Sequence, residues 1–255
     1  MAFSTGLVSV TFRKLSPRQI VDLVKEARLQ CIEWGGDIHA PPGDEPRARE
    51  IAGMMQEAGL KPLAYGSYFR VGEDDVEKFE PVLETTRLLG APCVRVWAGR
   101  KGSAEASAEY RQRVVGDSLA IARAAHEHGL LVAYEYHANT LTDTDDSTSD
   151  LLEAADHPAI RTLWQLPVGR TADQNRLSLR LVLPKLHHVH VYHWPQRGER
   201  APLADGKEPW QQYITVLHES GHACPMLLEF VKDDDPQQFL RDAATLREWL
   251  APFSP

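Results

Sequence analysis

Cysteine is scarce in this 255-residue chain: Cys31, Cys93 and Cys224 are the only three, and they lie far apart. An odd number without a C-x-x-C pair offers neither a disulfide framework nor a thiolate metal site. Basic charge is short as well, with 28 Lys and Arg against 36 Asp and Glu and a net charge of −8. A general nucleic-acid binder needs the opposite balance, because it must neutralise phosphates, so no nucleic-acid partner is expected. No run reaches the ~18 apolar residues of a membrane span. The opening MAFSTGLVSVTFRK lacks the basic, apolar and small-residue order of a secretory signal. These absences predict a cytoplasmic protein without a membrane partner. With 43 % hydrophobic residues, the chain can bury enough surface to offset its ordering entropy.

What is present is alternation. Short runs rich in Val, Leu, Ile and aromatics begin at Gly6, Cys31, Leu60, Pro92, Leu130, Ile160, Leu186 and Pro225. Each reads as a strand covered by helices. Between them lie helical patterns. Ser16 and Pro17 supply a cap and a first-turn proline, and Ile20, Leu23, Val24 and Ala27 then share one helical face. Three further helices are expected to end at Gly59, Gly90 and Gly129, the second of them running from Asp74. Another runs from Asp235 to Leu250, and shorter ones lie around 147–156 and 171–183. Eight β-then-α units predict an α/β fold, a single (β/α)8 TIM barrel filling residues 1–255. A doubly wound sheet would ordinarily carry a glycine-rich turn after an early strand, and FRKLSP after the first strand has no glycine.

Active sites of such barrels sit at the C-terminal ends of the strands. Reading those ends in order gives Glu33, Trp34, Asp37 and His39, then Arg95 and Trp97, Glu135 and His137, Trp164 and Gln165. The seventh strand adds His188, His190, His193 and Trp194, and the eighth Glu229. Glu135 and Glu229 are the sharpest pair, each a lone carboxylate in an apolar strand. A buried carboxylate needs a cation or a proton, which leaves a choice between a salt bridge, to Arg95 for instance, and a functional site. In HHVHVYH, alternation places His188, His190 and Tyr192 on one face. Glu135, Glu229, the His190 imidazole and the Gln165 amide oxygen together suit one divalent ion, Mn2+ first, with Mg2+, Co2+ and Zn2+ as alternatives. Trp34, Trp97, Trp164 and Trp194 at the strand ends would form a floor against the C–H face of a sugar, or else pack the barrel mouth.

With those residues in place, the chain resembles the xylose isomerase-like TIM-barrel superfamily over essentially its whole length. Within that superfamily it is most similar to the sugar isomerase and epimerase branch. The resemblance implies a divalent metal held by Glu, Asp, His and Glu on strands five to eight, and Glu135, His190 and Glu229 match three of these places. The sixth strand departs, with Gln165 where Asp is usual and Val168 where a histidine commonly follows. The stretch HVHVYHWPQRGERAPLADGKEPWQQY resembles a family motif that puts Arg197 on the substrate. The implied activity is proton abstraction beside a carbonyl through an enediolate, with Glu135 and Glu229 as both ligands and acid/base groups. His193 or His137 would orient the ligands, while Arg95, Trp97, Trp34, Asp37 and His39 would complete the substrate pocket. The implied partner is a small carbohydrate, bound by a homodimer or homotetramer. On the same scaffold the alternative is a metal-dependent dehydratase of the dehydroshikimate type. An AP endonuclease is disfavoured by the charge and by Gln165, and a sugar-binding homologue without catalysis is the remaining reading.

Overall fold

A computed structural model describes residues 3–167, 169–222 and 224–253. Eight strands follow one another in chain order and close into a parallel barrel. They are β1 (Thr5–Val8), β2 (Cys31–Gly35), β3 (Lys61–Arg70), β4 (Cys93–Trp97), β5 (Leu131–Glu135), β6 (Ile160–Trp164), β7 (Leu186–Val191) and β8 (Met226–Leu228). The helices are α1 (Pro17–Glu26), α2 (Glu45–Ala58), α3 (Glu80–Leu89), α4 (Ala108–Glu127), α5 (Asp145–Ala154), α6 (Ala172–Val182), α7 (Lys207–Glu219) and α8 (Pro236–Leu250).

Local chemistry explains where the helices start. The Ser16 hydroxyl accepts the Gln19 amide and the Gln19 side chain accepts the Ser16 amide, so a capping box precedes Pro17. Thr171 and Gln174 repeat the device at α6, and Asp235 caps two amides of α8 ahead of Pro236. Each such cap stabilises its helix by about 1 kcal/mol. The helix expected from Asp74 to Gly90 is broken. A 3-10 turn covers Val76–Phe79, and α3 begins only at Glu80. Pro81 has no amide to donate and sits comfortably only in a first turn, so the chain restarts its helix there. Gly90 ends α3 in the left-handed region at φ +74°.

Two compact units make up the chain. The first holds the residues up to Glu33, Gly53–Lys61 and those from Trp164 onward. In it β1 pairs with β2 and β8, and β7 pairs with β8, all parallel. The register aligns Val8 with Glu33, Gly6 with Leu227, and Leu227 with His190. Since side chains alternate along a strand, Glu33, His188, His190 and Glu229 share one sheet face. Ile20, Val24, Leu179, Ile214 and Leu246 form the helical side of the core, all fully buried, each contributing roughly 1.5–3 kcal/mol.

The second unit holds Trp34–Ala52 and Pro62–Leu163. Here β3, β4, β5 and β6 pair in sequence. Gly66 aligns with Arg95, and Arg95 with Ala133, so Arg95, Trp97 and Glu135 share a face. The small residues Ala64, Cys93 and Ala133 cluster on that face.

Candidate functional site

In the first unit Glu33, His188 and His190 are fully buried. Both histidines offer Nε2 to Glu33 Oε2, each at 3.0 Å. His188 continues the chain outward, its Nδ1 lying 2.7 Å from Nδ1 of His187. The second nitrogen of His190, Nδ1, stands 3.3 Å from Glu229 Oε2. These two atoms are buried and meet each other by charge, outside good hydrogen-bond geometry. Glu229 directly follows β8, and a strained backbone follows it, with Phe230 at φ +52°. The left-handed region is unfavourable for a bulky residue, and the Phe230 amide is held by Thr11 Oγ1 at 3.2 Å.

Burial disfavours charge on His190, but the Glu229 and Glu33 carboxylates outweigh it and raise its pKa to about 10. In the metal-free protein the imidazolium therefore neutralises the surrounding carboxylates. The donor set also fits a metal. The His190 nitrogen and Glu229 oxygen at 3.3 Å have the separation of two neighbouring ligands, about 3 Å when each bond is about 2.1 Å. Glu33 holds the far side of the ring and so orients Nδ1 toward Glu229, as carboxylates beside metal-binding histidines do. The ligand atoms of Glu33, His188 and His190 themselves lie within 4.8 Å of one another, a second arrangement able to hold an ion.

In the second unit Arg95 and the Trp97 indole both donate to Glu135 Oε2. Arg95 and Glu135 are buried. The guanidinium lies 4.7 Å from the centre of the Tyr68 ring, a cation–π distance. Tyr68 holds that ring from a left-handed backbone, φ +61°. Thr142 Oγ1 donates to the Glu135 carbonyl at 2.6 Å. His137 packs on Trp97, ring centres 4.8 Å apart, and Arg70 stands 4.0 Å over the same indole.

The remaining candidates are scattered more widely. Gln165 is half-buried, one residue beyond β6, and Val168 lies outside the described residues. His193 pairs its backbone with Ala201, and its ring crowds Gly206, where any Cβ would fall 2.6 Å from Nδ1. Desolvation pushes the His193 pKa down, against Asp205, which raises it. Arg197 is exposed in the turn between His193 and Ala201. In the second unit Trp34 is fully buried, edge-on to the buried His39 at 5.9 Å, and Asp37 is exposed. The expected sugar floor is thinned. Trp164 is fully buried, its indole donating to Ser178 Oγ at 3.1 Å and its rings packed on Trp210 and Tyr213. Only Trp97 and Trp194 of the four are partly exposed. Glu33 and His188, read from the sequence as strand-end polar residues without a role in the ligand set, join the cluster. Glu33 carried the same signal as Glu135, a lone carboxylate in an apolar strand, and His188 shares the His190 face.

The family model for the xylose isomerase-like TIM barrel matches residues 21–250. A 3-dehydroshikimate dehydratase from Bacillus anthracis is 33 % identical over 253 residues, covering 95 % of this chain and 88 % of the relative. Among solved structures, the probable 3-DHS dehydratase AsbF of petrobactin synthesis, also from Bacillus anthracis, superposes with TM-score 0.81. It is 24 % identical, covering 96 % of this chain and 98 % of that one. A xylose isomerase-like TIM barrel protein from Mycobacterium smegmatis in complex with magnesium gives 0.76 at 14 % identity, covering 98 % and 97 %. This chain belongs to the xylose isomerase-like TIM-barrel family.

Proposed function

We propose that this member of the xylose isomerase-like family is a metal-dependent lyase that removes water from a hydroxylated cyclic keto acid of the 3-dehydroshikimate kind. The observation that carries this reading is the 33 % identity to a 3-dehydroshikimate dehydratase across 95 % of the chain. It favours the dehydratase over the sugar isomerase or epimerase expected first, which begins with the same proton abstraction.

In the elimination the proton beside the ketone leaves its carbon. The hydroxyl one carbon further departs with a proton as water, and tautomerisation gives a dihydroxybenzoate. A divalent ion, Mn2+ for preference, would act as a Lewis acid on the ketone oxygen. His190 Nδ1 and Glu229 Oε2 would hold it, with the Gln165 amide oxygen as a neutral ligand. Glu33 fixes the His190 ring through Nε2. Glu229, buried just beyond β8, is a carboxylate able to take a carbon-bound proton. Glu135, whose carboxylate is held charged by Arg95 and the Trp97 indole, is a further proposed general base.

The test is direct. Protein loaded with Mn2+ and given 3-dehydroshikimate should produce the aromatic product, followed by its ultraviolet absorbance. Exchange of a ketohexose C–H proton with deuterated water, with no aromatic product from 3-dehydroshikimate, would replace this reading with the epimerase.

A further inference from the structure

Six non-glycine residues hold a left-handed backbone among the described residues, and three of them, Phe230, Asp233 and Asp234, fall between Glu229 and α8. Aspartate tolerates that region through its short polar side chain. Phenylalanine does not, so φ +52° carries a steric cost at the residue right after Glu229. The hydrogen bonds place the bend. The Glu229 amide still donates to the Val191 carbonyl at 3.0 Å, continuing the β7–β8 ladder. The Phe230 amide leaves that ladder for Thr11 Oγ1. The peptide joining the two residues is therefore oriented by the bend, and with it the Glu229 carboxylate that stands 3.3 Å from His190 Nδ1.

What holds the strain is visible at the Phe230 ring. The segment after β7 grips it, with ring centres 5.5 Å away at Trp194 and 6.4 Å away at Tyr192. The Arg200 guanidinium lies 4.9 Å over its face. The gripping groups are anchored in turn. The Tyr192 hydroxyl donates to the Leu166 carbonyl at 2.8 Å, which ties the loop after β7 to the loop after β6. Arg200 donates to Asp234, so the clamp closes on the same strained loop that it holds. Ring–ring and cation–π contacts together match the size of the strain they oppose. The second unit repeats the device: Tyr68, left-handed at φ +61°, has Arg95 over its ring, and Arg95 donates to Glu135.

We propose that Phe230 is a positioning residue for Glu229: the clamp of Trp194 and Arg200 on its ring holds the left-handed bend that aims the Glu229 carboxylate at His190 Nδ1. The inference rests on the reading of Glu229 and His190 as the groups that hold the ion, but not for its test.

Alanine and glycine separate the backbone from the ring. Both remove the clamped side chain, but only glycine accepts a left-handed φ without steric cost. In metal-free protein labelled with nitrogen-15 histidine, at one fixed pH, the His190 ring resonance reports the Glu229 contact and is assigned by its loss in His190→Gln. It should move in Phe230→Ala, return in Phe230→Gly, and stay in place in Phe230→Tyr, which keeps the ring. Mn2+ affinity, from free Mn2+ counted by electron paramagnetic resonance, should fall on the order of tenfold in Phe230→Ala. Phe230→Gly should recover most of that loss. Arg200→Met should move the resonance in the native background and leave it unmoved in Phe230→Gly, a comparison that stands even if Phe230→Ala does not fold. An unmoved resonance in both Phe230→Ala and Arg200→Met, or a glycine variant no better than alanine, overturns the clamp even if 3-dehydroshikimate is dehydrated. The expected order of variants without dehydration upholds the clamp and removes the lyase reading.

Discussion

Both units bury carboxylates, but they neutralise them differently. Glu135 is met by Arg95, a cation at any pH the protein survives, together with the Trp97 indole. Glu33 and Glu229 are met by His190, whose charge is removable. A permanent cation makes a fixed electrostatic fixture. A histidine can surrender its proton and offer a lone pair, so the same carboxylates that hold the proton can hold a metal in its place. The contrast separates a region whose cation is permanent from one whose cation is removable.

The hardest blow to that contrast is chemical. Glu229→Gln or His190→Gln should lower turnover by on the order of 10²–10⁴ while circular dichroism stays unchanged, and near-normal turnover in either would remove the exchangeable site. Next in size is the fixed pair. Arg95→Met leaves the Glu135 charge buried alone and should cost about 3–5 kcal/mol in urea denaturation. Most of this should return in the double variant with Glu135→Gln, and an unshifted single variant would show that the pair holds nothing. A smaller effect distinguishes the units by metal. Mn2+ at about a hundred times its dissociation constant should stabilise the protein by about 2.7 kcal/mol, and His190→Gln should lose that gain on a thermal ramp with and without chelator.

The finest test is pH. The His190 pKa lies above the ordinary histidine value of 6.5, at about 10 when folded. Its contribution to metal-free stability is therefore complete below 6.5 and is lost as pH climbs toward about 10. Denaturation of chelated protein at several pH values should show this decline in the native sequence and not in His190→Gln. A parallel decline in both would assign it elsewhere.

The strands were legible because apolar runs and turn residues alternate without ambiguity; all eight lie where the sequence places them, within a few residues. The site was legible only in part. Glu229 and His190 stand out as polar residues in apolar strands, and the structure sets them together. Glu33 carries the same mark, but a local pattern gives no partner for it, and both histidines that meet it lie more than 150 positions away. Trp164 shows the converse. Its place at a strand end suggests exposure, yet Trp210 and Tyr213 of α7 close over it, and that packing is invisible until the helix is docked. Pro81 was an available local clue to the break before α3.

The hydrogen bond from Tyr192 to the Leu166 carbonyl has a consequence for how this protein can diverge. It fastens together two loops that inherit changes separately. A lineage that lengthened or reshaped one of them would lose the tether unless the other changed in step. Changes in the length of one loop are therefore expected to come with changes in the other, and single replacements that break the tether should be under-represented among its descendants.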